Sequence, residues 1–572
     1  MVAALGASAP GPETWIPEAW IRNHAIRIQT VEADHGFADL RPLAAVVGEA
    51  RIVSLGEATH GTREFFQLKH RLLEFLASQK GFTIFSIEAN MPEAYRLNDF
   101  VLNGKGDPKQ LLKGMYFWTW DTEEVLDMIL WMREFNRSGK GRIEFTGFDM
   151  QTPTVAMDNV RQFLLGHDEE LFSTVDPLYT EITRTTKARQ QQAGVATAKF
   201  PVELAAGKHI KYSGYIKTDG ITDGFAGLWW RVDGEAGSKP LAFDNMYDRG
   251  PKGTADWAYY EISLDVPKNA TNINFGLLHP GSGTAWFDSL KVEVDGQPYA
   301  DDSLFDFDFE ASALHGFHSS GDGYEVGLDN SVAHSGKQSL RIRPADATRT
   351  SAQESTDALL TKRCKDIVER FQADRERLIQ AGSTPEDVEW TIQNARIVLQ
   401  YMQLRVGEKT RDESMAENIE WIADQNPGAK IVLWAHNGHV AYAAQYGPMG
   451  GYLHKKFGSQ LVTFGLAFNE GSFRAIEKGK SLRDFTVGPA PEDSLDHALA
   501  SAGIPLFALD LRQLPKKGPV AEWFGKSRPA RSIGAIYGGG QPESWSVATL
   551  RWPEVFDVIL FVEKTTAAHG NP

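Results

Sequence analysis

A chain of 572 residues is too long for a single hydrophobic core, so the sequence predicts at least two domains. The hydrophobic content of 42% and the charged content of 23% are typical of a globular protein, and the chain contains no apolar run of about 18 residues, the length that would predict a membrane span. The formal net charge of −16 argues against nucleic acid or an anionic membrane as the partner.

Neither cysteine chemistry nor the start of the chain defines a compartment. Cys364 is the one cysteine, so an intramolecular disulfide is impossible. The first ten residues lack the basic start and long apolar stretch of a secretory signal, and we predict a disordered tail in preference to a trimmed signal remnant. Both a cytoplasmic location and, after signal removal, a periplasmic or secreted one remain open.

Residues 15–192 are predicted to form the first part of an α/β domain. Short apolar runs alternate with helical stretches at 64–79 and 123–135, the second with Asp121 or Thr122 as its N-cap. Alternation of strand and helix predicts a parallel sheet.

The composition and the hydrophobic pattern of the sequence change at residue 193. Residues 193–345 are rich in Gly, Asp, Trp and Tyr, and apolar side chains alternate at Ile273, Phe275 and Leu277. Turn signals such as Asp295-Gly296 interrupt the alternation. This pattern predicts an antiparallel β-sandwich.

Sequence patterns typical of helices return over 346–425, and patterns typical of strands resume within 426–565. The predicted fold class is therefore α/β, with a mostly parallel sheet flanked by helices and split in sequence by the inserted antiparallel sandwich. Insertions are tolerated in surface loops whose ends lie close together.

Polar side chains gather at the ends of four predicted strands. The strand at 52–55 is followed by Glu57 and His60, and the other three strands end in the residues Glu88, Asp149, His436 and His439. Carboxyl ends of neighbouring parallel strands meet at one edge of a sheet, where ligands bind in open α/β folds. A lone histidine after a strand is usually structural, but the combined set favours a functional site.

These residue types suit the activation of water for acyl transfer. A histidine can act as the base, because its pKa lies near neutrality, and Glu57 or Glu88 could orient His60. His436 or His439 could donate to a carbonyl oxygen or a leaving alkoxide. Asp149 is either part of this site or the cap of the next helix, and Asp510 is expected to be structural.

A metal site is the rival chemical interpretation. Glutamate, histidine and a His-x-x-His pair are ligand types for zinc or manganese. However, the segment from His436 to His439 follows a strand and contains glycine, so the two rings need not share a face. We expect no metal and no cofactor. The chain has no Gly-x-Ser-x-Gly elbow, Walker A loop or Gly-x-Gly-x-x-Gly, and Cys364 is a poor nucleophile candidate.

An aromatic stretch precedes the helix at 123–135. Tyr116, Trp118 and Trp120 are either packing residues or the wall of a pocket for a large, partly apolar substrate.

Four motifs together resemble the erythromycin esterase family. They are Gly56-Glu-Ala-Thr-His-Gly61, Ser86-Ile-Glu-Ala89, Phe117-Trp-Thr-Trp120 and Trp434-Ala-His-Asn-Gly-His439. The resemblance covers roughly residues 15–190 and 350–565, and the segment 411–418 also looks like a family feature.

The resemblance implies an α/β core that hydrolyses the lactone ester of a macrolide without a serine nucleophile. It implies that His60 is the base that activates water, and that Glu57, Glu88 and His436 complete the site. We add His439 to the candidate catalytic set. Lys69, nine positions after His60, matches a site arginine of some members and is a candidate for substrate binding, although lysine lacks the fork geometry of arginine.

The insertion is absent from the macrolide-resistance enzymes of that family and resembles carbohydrate-binding β-sandwich modules in three short motifs. Trp229, Trp230, Trp257 or Tyr259 could stack on sugars, unless they belong to the core of the sandwich. The expected partner is a small ester or lactone, with a glycan possible at the sandwich. Two alternative functions stay open: a glycan-binding protein with an idle hydrolase core, and a metal-dependent hydrolase.

Overall fold

Elements at the start of the chain alternate between helices and short strands. In the computed structural model the described residues are 16–191, 193–222, 224–234, 240–247, 249–299, 303–321, 323–345, 347–442, 447–477, 482–538 and 546–571. The predicted disordered tail lies outside them. The first elements are α1 (Ile16–His24), β1 (Ile26–Arg27), α2 (Leu43–Val47), β2 (Ile52–Leu55), α3 (Arg63–Lys80), β3 (Ile84–Asn90), α4 (Met91–Asn103), α5 (Pro108–Lys113), α6 (Glu123–Arg137), β4 (Glu144–Asp149), α7 (Thr154–His167) and α8 (Glu169–Gln191).

A run of mostly β-structure follows. Its elements are β5 (Gly194–Lys199), α9 (Val202–Ala205), β6 (His209–Ile221), β7 (Gly227–Asp233), β8 (Ala242–Asp244), β9 (Gly253–Asp265), β10 (Asn272–His279), β11 (Thr284–Val294), β12 (Gln297–Pro298), β13 (His318–Ser320), β14 (Tyr324–Asp329), β15 (Ser339–Pro344) and then α10 (Ala347–Ala373).

Helices and strands alternate again in the last part of the chain. The elements are α11 (Arg375–Gln380), α12 (Pro385–Arg405), α13 (Arg411–Gln425), β16 (Ile431–Trp434), α14 (Asn437–Val440), α15 (Met449–Phe457), β17 (Leu461–Glu477), β18 (Leu482–Val487), α16 (Leu495–Ala500), β19 (Leu506–Asp510), α17 (Pro519–Phe524), β20 (Arg528–Arg531), β21 (Ile536–Tyr537), β22 (Val547–Leu550), α18 (Trp552–Val555) and β23 (Val558–Thr565).

The chain divides into two compact units. The first runs to Phe163 and resumes at Phe371, and the second spans Leu164–Arg370. Two separate hydrophobic cores, one in each unit, accompany this division.

The first unit is built on a mixed sheet in which the strand order is β1-β19-β23-β17-β2-β16-β3-β4. The strands from β23 to β4 are parallel to one another. At the edge beyond β23, β19 is antiparallel to β23, and β1 is antiparallel to β19. Every residue of β2 and of β16 is buried, as expected for central strands covered on both faces. The helix-rich sequence between the strands supplies that cover.

Close packing at the carboxyl end of β2 explains Gly56. A Cβ atom at this position would lie 2.2 Å from Oδ1 of Asn437 and 3.0 Å from the carbonyl oxygen of Phe464. The Asn437 amide in turn donates to the carbonyl oxygen of Leu466, at 2.8 Å. Because position 56 is glycine, the chain that follows β2 can pack directly against the turn that follows β16. This packing brings the motif that begins at Gly56 next to the motif that contains Asn437.

The second unit contains the predicted β-sandwich. One antiparallel sheet has the order β13-β5-β10-β7-β8, and the other has the order β14-β15-β11-β6-β9 with β12 beside β11. Their inner faces share one core, in which the rings of Tyr212 and Trp230 lie 5.8 Å apart. The predicted fold class, a mostly parallel α/β sheet with an antiparallel sandwich in the middle of the sequence, is confirmed.

Across the part of the chain that the structure describes, no helix combines the length and the apolar character needed to cross a bilayer.

Candidate active site

The predicted site residues converge at one rim of the main sheet. The register of the parallel strands pairs Trp434 of β16 with Leu55 of β2 and with Ile87 of β3. The residues that follow these positions therefore leave the sheet side by side. The pairing of β3 with β4 is irregular between Ile87 and Asn90, so β3 is distorted at Glu88, as at bulges that redirect a side chain.

Glu57 is the buried centre of the first half of the site. One carboxylate oxygen lies 2.8 Å from Nδ1 of His60, and the other accepts hydrogen bonds from Nζ of Lys69 and Nε1 of Trp434, both at 2.6 Å. Lys69 Nζ also lies 4.2 Å from the centroid of the Trp434 ring. Three donors around one buried carboxylate hold it as an anion.

Burial and neighbouring charges have opposite effects on the pKa values of Glu57 and Lys69. Burial by itself would raise the pKa of Glu57, but the neighbouring Lys69 and His60 hold that pKa below its ordinary value. Burial lowers the pKa of Lys69 to about 8, although Glu57 counteracts the shift. Glu57 therefore favours the ammonium form of the buried Lys69.

The carboxylate of Glu57 determines the tautomer of His60. Because Oε1 of Glu57 can only accept, Nδ1 of His60 carries a proton and donates it. The Nε2 lone pair of the neutral ring is then free to accept a proton, and the side chain is 15% exposed. An imidazole held in this way can act chemically as a general base.

His436 adopts the opposite tautomer, with its proton on Nε2. Its Nδ1 accepts a hydrogen bond from the backbone N–H of Gly438 at 3.1 Å, so Nε2 carries the proton. Among the described residues, that buried Nε2 has no hydrogen-bond partner. Burial lowers the pKa of His436 to about 3, with the nearby charges of His60 and His439 contributing, so the ring stays neutral. The rings of His60 and His436 lie 5.0 Å apart, so an Nε2 lone pair and an Nε2–H belong to neighbouring rings.

Arg411 ties together the ends of β3 and β4. Its Nη2 donates to Glu88 and to Asp149, each at 2.7 Å, and its Nε donates to Asp149 at 3.1 Å. The other oxygen of Glu88 accepts the backbone N–H of His436 at 3.0 Å. Burial would raise the pKa of Glu88, but His439, Arg411 and His60 lower it strongly, so Glu88 is ionised.

His439 completes the rim. Its Nδ1 lies 2.8 Å from Oδ1 of Asp412, and its Nε2 lies 3.4 Å from Oε1 of Glu88. Burial acts to lower the pKa of His439, but Glu88 and Asp412 raise it above its ordinary value overall. The site thus contains two histidine–carboxylate pairs, Glu57–His60 and Asp412–His439.

Five predicted residues lie together in this network, and three further participants were not predicted from the sequence. Glu57, His60, Glu88, His436 and His439 are the predicted ones. The additional ones are Arg411, Asp412 and Trp434. Asp149 bonds Arg411, and the N–H of Met150 that it also accepts lies before α7, which begins at Thr154, so these bonds join Asp149 to the network and do not cap that helix. The signal for Arg411 and Asp412 was available as an Arg-Asp pair at the start of a helix.

The four residues predicted to bind substrate occupy different environments. Lys69 is fully buried against Glu57, and Trp120, 2% exposed, packs edge-on against Trp434. Trp118 is half-buried, whereas Tyr116 is 68% exposed and has a left-handed backbone φ of 66°.

One cavity of the first unit lies away from these residues. A cavity of about 760 Å³ lies along α3 and α6, and its lining includes His70, Glu123, Asp127 and Trp131 but none of the residues of the rim. We place the functional site at the rim, because its titratable groups are oriented and complementary there. Within the described ranges, no group of three or more His, Cys, Asp or Glu side chains is arranged to hold a metal ion.

The structure defines an α/β protein whose sheet rim carries paired histidines and carboxylates, and the sequence has no Gly-x-Ser-x-Gly elbow. A family model described as erythromycin esterase matches residues 77–211 and 329–565, and the chain belongs to the erythromycin esterase family.

Comparisons with individual proteins agree on the fold. "Erythromycin esterase type II" of Escherichia coli is 28% identical over 229 residues, which cover 36% of this chain and 53% of that protein. The chain spans between 32% and 53% of the length of the curated relatives that it matches. A solved structure from Bacillus cereus has a TM-score of 0.62 at 18% identity and covers 98% of this chain and 100% of its own. A solved structure described as a succinoglycan biosynthesis protein has a TM-score of 0.61 at 18% identity, with the same coverage.

Proposed function

We propose that the protein hydrolyses a carboxylic ester, in particular a macrolide-type lactone, with water as the nucleophile and His60 as the general base. The observation that carries the proposal is the pair of neighbouring imidazoles with opposite polarity. His60 offers an Nε2 lone pair, and His436 offers an Nε2–H without a partner in the described structure.

The proposed reaction conserves protons within the site. Water gives a proton to Nε2 of His60 while its oxygen attacks the ester carbonyl carbon. The carbonyl oxygen becomes an oxyanion, to which Nε2–H of His436 donates. Collapse of the tetrahedral intermediate breaks the bond between carbon and the ester oxygen, and the departing alkoxide takes up the proton that His60 received from water. A lactone is thereby converted to a ring-opened hydroxy acid.

Support for a macrolide comes from the family and from one relative's name, erythromycin esterase type II. Tyr116 and Trp118 present aromatic surface in the segment that leads to Trp120, next to the Glu57 partner Trp434. Such surface suits a large, partly apolar substrate.

Mass spectrometry of macrolides tests this function. The full-length protein and its His60→Ala variant are incubated with erythromycin and a panel of other macrolides, with and without a chelator. We expect the wild type to add one water to at least one macrolide in both conditions, and the variant to add none. If no macrolide gains water, the macrolide assignment is wrong, and if only the chelated sample is inactive, the metal-free mechanism is wrong.

The sandwich offers a second candidate activity, the binding of a glycan. On the outer face of its larger sheet, the ring of Tyr215 stacks on His334 at 3.6 Å, and Trp257 lies edge-on to His334 at 5.6 Å. Tyr259, 49% exposed, lies beside Tyr215. By contrast, Trp230 is in the core. Exposed rings in a row suit stacking on sugars.

We expect the Trp257→Ala/Tyr259→Ala double variant to lose binding on a glycan array while its hydrolytic activity is unchanged. Leu304→Ala, which truncates an exposed apolar side chain of the same unit, serves as the control and should retain binding. Equal binding by all three proteins would contradict a glycan site on this face.

A further inference from the structure

Residues 566–571, which follow β23 and which we call the strap, lie along the turn that carries His60. The carbonyl oxygen of Gly61 accepts the backbone N–H of Ala568 at 3.0 Å. The backbone N–H of Arg63 donates to the first carbonyl oxygen of the strap, also at 3.0 Å. The two bonds form a short antiparallel ladder, so the strap holds the backbone directly after His60.

Other parts of the first unit hold the same turn. The N–H of Ile533 donates to the carbonyl oxygen of Ala58 at 2.7 Å, and the N–H of Arg474 in β17 donates to that of Gly61 at 2.8 Å. A Cβ atom at Gly61 would lie 2.2 Å from the carbonyl oxygen of Arg474, so glycine allows this approach. The carbonyl oxygen of Gly61 therefore has two donors, one from β17 and one from the strap, which matches its two lone pairs.

The strap is itself anchored at both ends. At its start, the backbone N–H and the hydroxyl of Thr566 donate to the carboxylate of Glu64, at 2.7 and 2.6 Å. At its far end, Asn571 donates through its backbone N–H and its side-chain amide to Asp121, at 3.2 and 3.1 Å. Between these anchors, Ala568 is fully buried. The N–H that reaches the turn is therefore fixed from both sides.

The ring of His60 depends on this turn for its alignment. Its Nδ1 lies 2.8 Å from a carboxylate oxygen of Glu57, and that bond forms only if the backbone places the ring at the correct distance from the buried carboxylate. Displacement of a reacting group by about 1 Å can lower a rate by about 10²-fold. Bonds that fix the backbone on either side of His60 therefore bear on its chemistry.

We propose that the strap is a positioning element for His60, which keeps the Glu57–His60 hydrogen bond aligned before substrate binds. It acts through the backbone of the turn, at the carbonyl group of Gly61. The effect expected on the rate rests on the proposed ester hydrolysis, whereas the effect expected on the ring rests on the hydrogen bonds alone.

An ester in place of the peptide bond between Ala567 and Ala568 tests the proposal in the full chain. Lactic acid incorporated at position 568 deletes the N–H that Gly61 accepts and alters no side chain. We expect kcat for erythromycin to fall by about 10-fold or more, with KM changed less than about twofold, because the base is displaced while the surface that binds substrate is retained. Ala568→Pro deletes the same donor and should act in the same direction.

The same ester at Ala313 is the matched control. This alanine is exposed in the second unit, so the replacement should change neither kcat nor KM. Thermal unfolding of each protein shows whether it is folded. A strap with a purely structural role would lower the unfolding temperature without a selective loss of kcat in the folded protein.

A second readout does not depend on ester hydrolysis. In protein labelled with ¹⁵N-histidine, the ring resonances of His60 are assigned with His60→Gln and recorded at alkaline pH, where imidazoles are neutral. The wild type should show the tautomer with the proton on Nδ1, because Glu57 accepts there. The ester at position 568 should increase the share of the tautomer with the proton on Nε2, and the ester at Ala313 should not.

An unchanged His60 tautomer in the variant with the ester at position 568 would overturn the inference, and so would an unchanged kcat where the wild type is active. If the wild type hydrolyses no macrolide, the proposed function fails. The tautomer then decides by itself whether the strap positions His60.

Discussion

Replacing His60 with alanine is expected to lower kcat/KM for the ester substrate by about 10²–10⁴-fold. The variant loses the one imidazole at the rim whose Nε2 lone pair is unoccupied while its Nδ1 is held by a buried carboxylate. His436 cannot substitute, because its ring is neutral with the proton on Nε2.

The measurement is kcat/KM of the wild type and of His60→Ala, with thermal unfolding to show that the variant is folded. His318→Gln serves as the matched control, since this histidine is exposed in the second unit. A His60→Ala protein that retains more than about a tenth of the wild-type activity would remove His60 from the role of base.

Glu57→Gln is expected to lower both stability and activity. The carboxylate is the acceptor for three buried donors, and an amide can accept at one end only. The Lys69 ammonium is then buried without a counter-charge, a change that costs about 3–5 kcal/mol in the free energy of unfolding. His60 loses the acceptor that sets its tautomer, so we expect the rate to fall by about 10²-fold or more.

Adding Lys69→Met to Glu57→Gln separates the two effects. The double variant removes the unpaired cation and keeps the side-chain volume, so it should unfold at higher denaturant concentration than Glu57→Gln while remaining inactive. Glu134→Gln breaks a surface pair with Arg137 and should change neither property measurably. If the double variant is no more stable than Glu57→Gln, the buried Lys69 charge is not the source of the loss. Unfolding in denaturant at pH 7 and ester hydrolysis are the two assays.

Local patterns in the sequence were sufficient for the fold class. Apolar runs such as 52–55 correspond to β2, and the helix expected at 64–79 corresponds to α3 at Arg63–Lys80. Thr122, one of the two N-caps considered, accepts the N–H of Val125. These features depend on neighbours along the chain. The strand expected to end at Glu88 extends instead to Asn90, because its pairing with β4 continues beyond the irregularity at Glu88.

The sequence predicted those residues of the candidate site that follow the ends of predicted strands. Glu57, Glu88 and His436 could be placed at one rim because parallel strands end together. The partners of Lys69 could not be derived in this way. The side chain had been expected to meet substrate, but α3 directs it into the core, where Glu57 and Trp434 enclose it.

By itself, the sequence determined the family, the α/β class, the sandwich in the middle of the chain and the residue types of the rim. Each of these depends on local periodicity or on a contiguous motif, which can be read along the chain. Only the tertiary structure decided which carboxylate serves which histidine. Glu57 reaches His60, and Asp412, 27 residues away along the chain, reaches His439. The orientations of the three rim histidines follow from those pairings and from burial, which are properties of the packed chain.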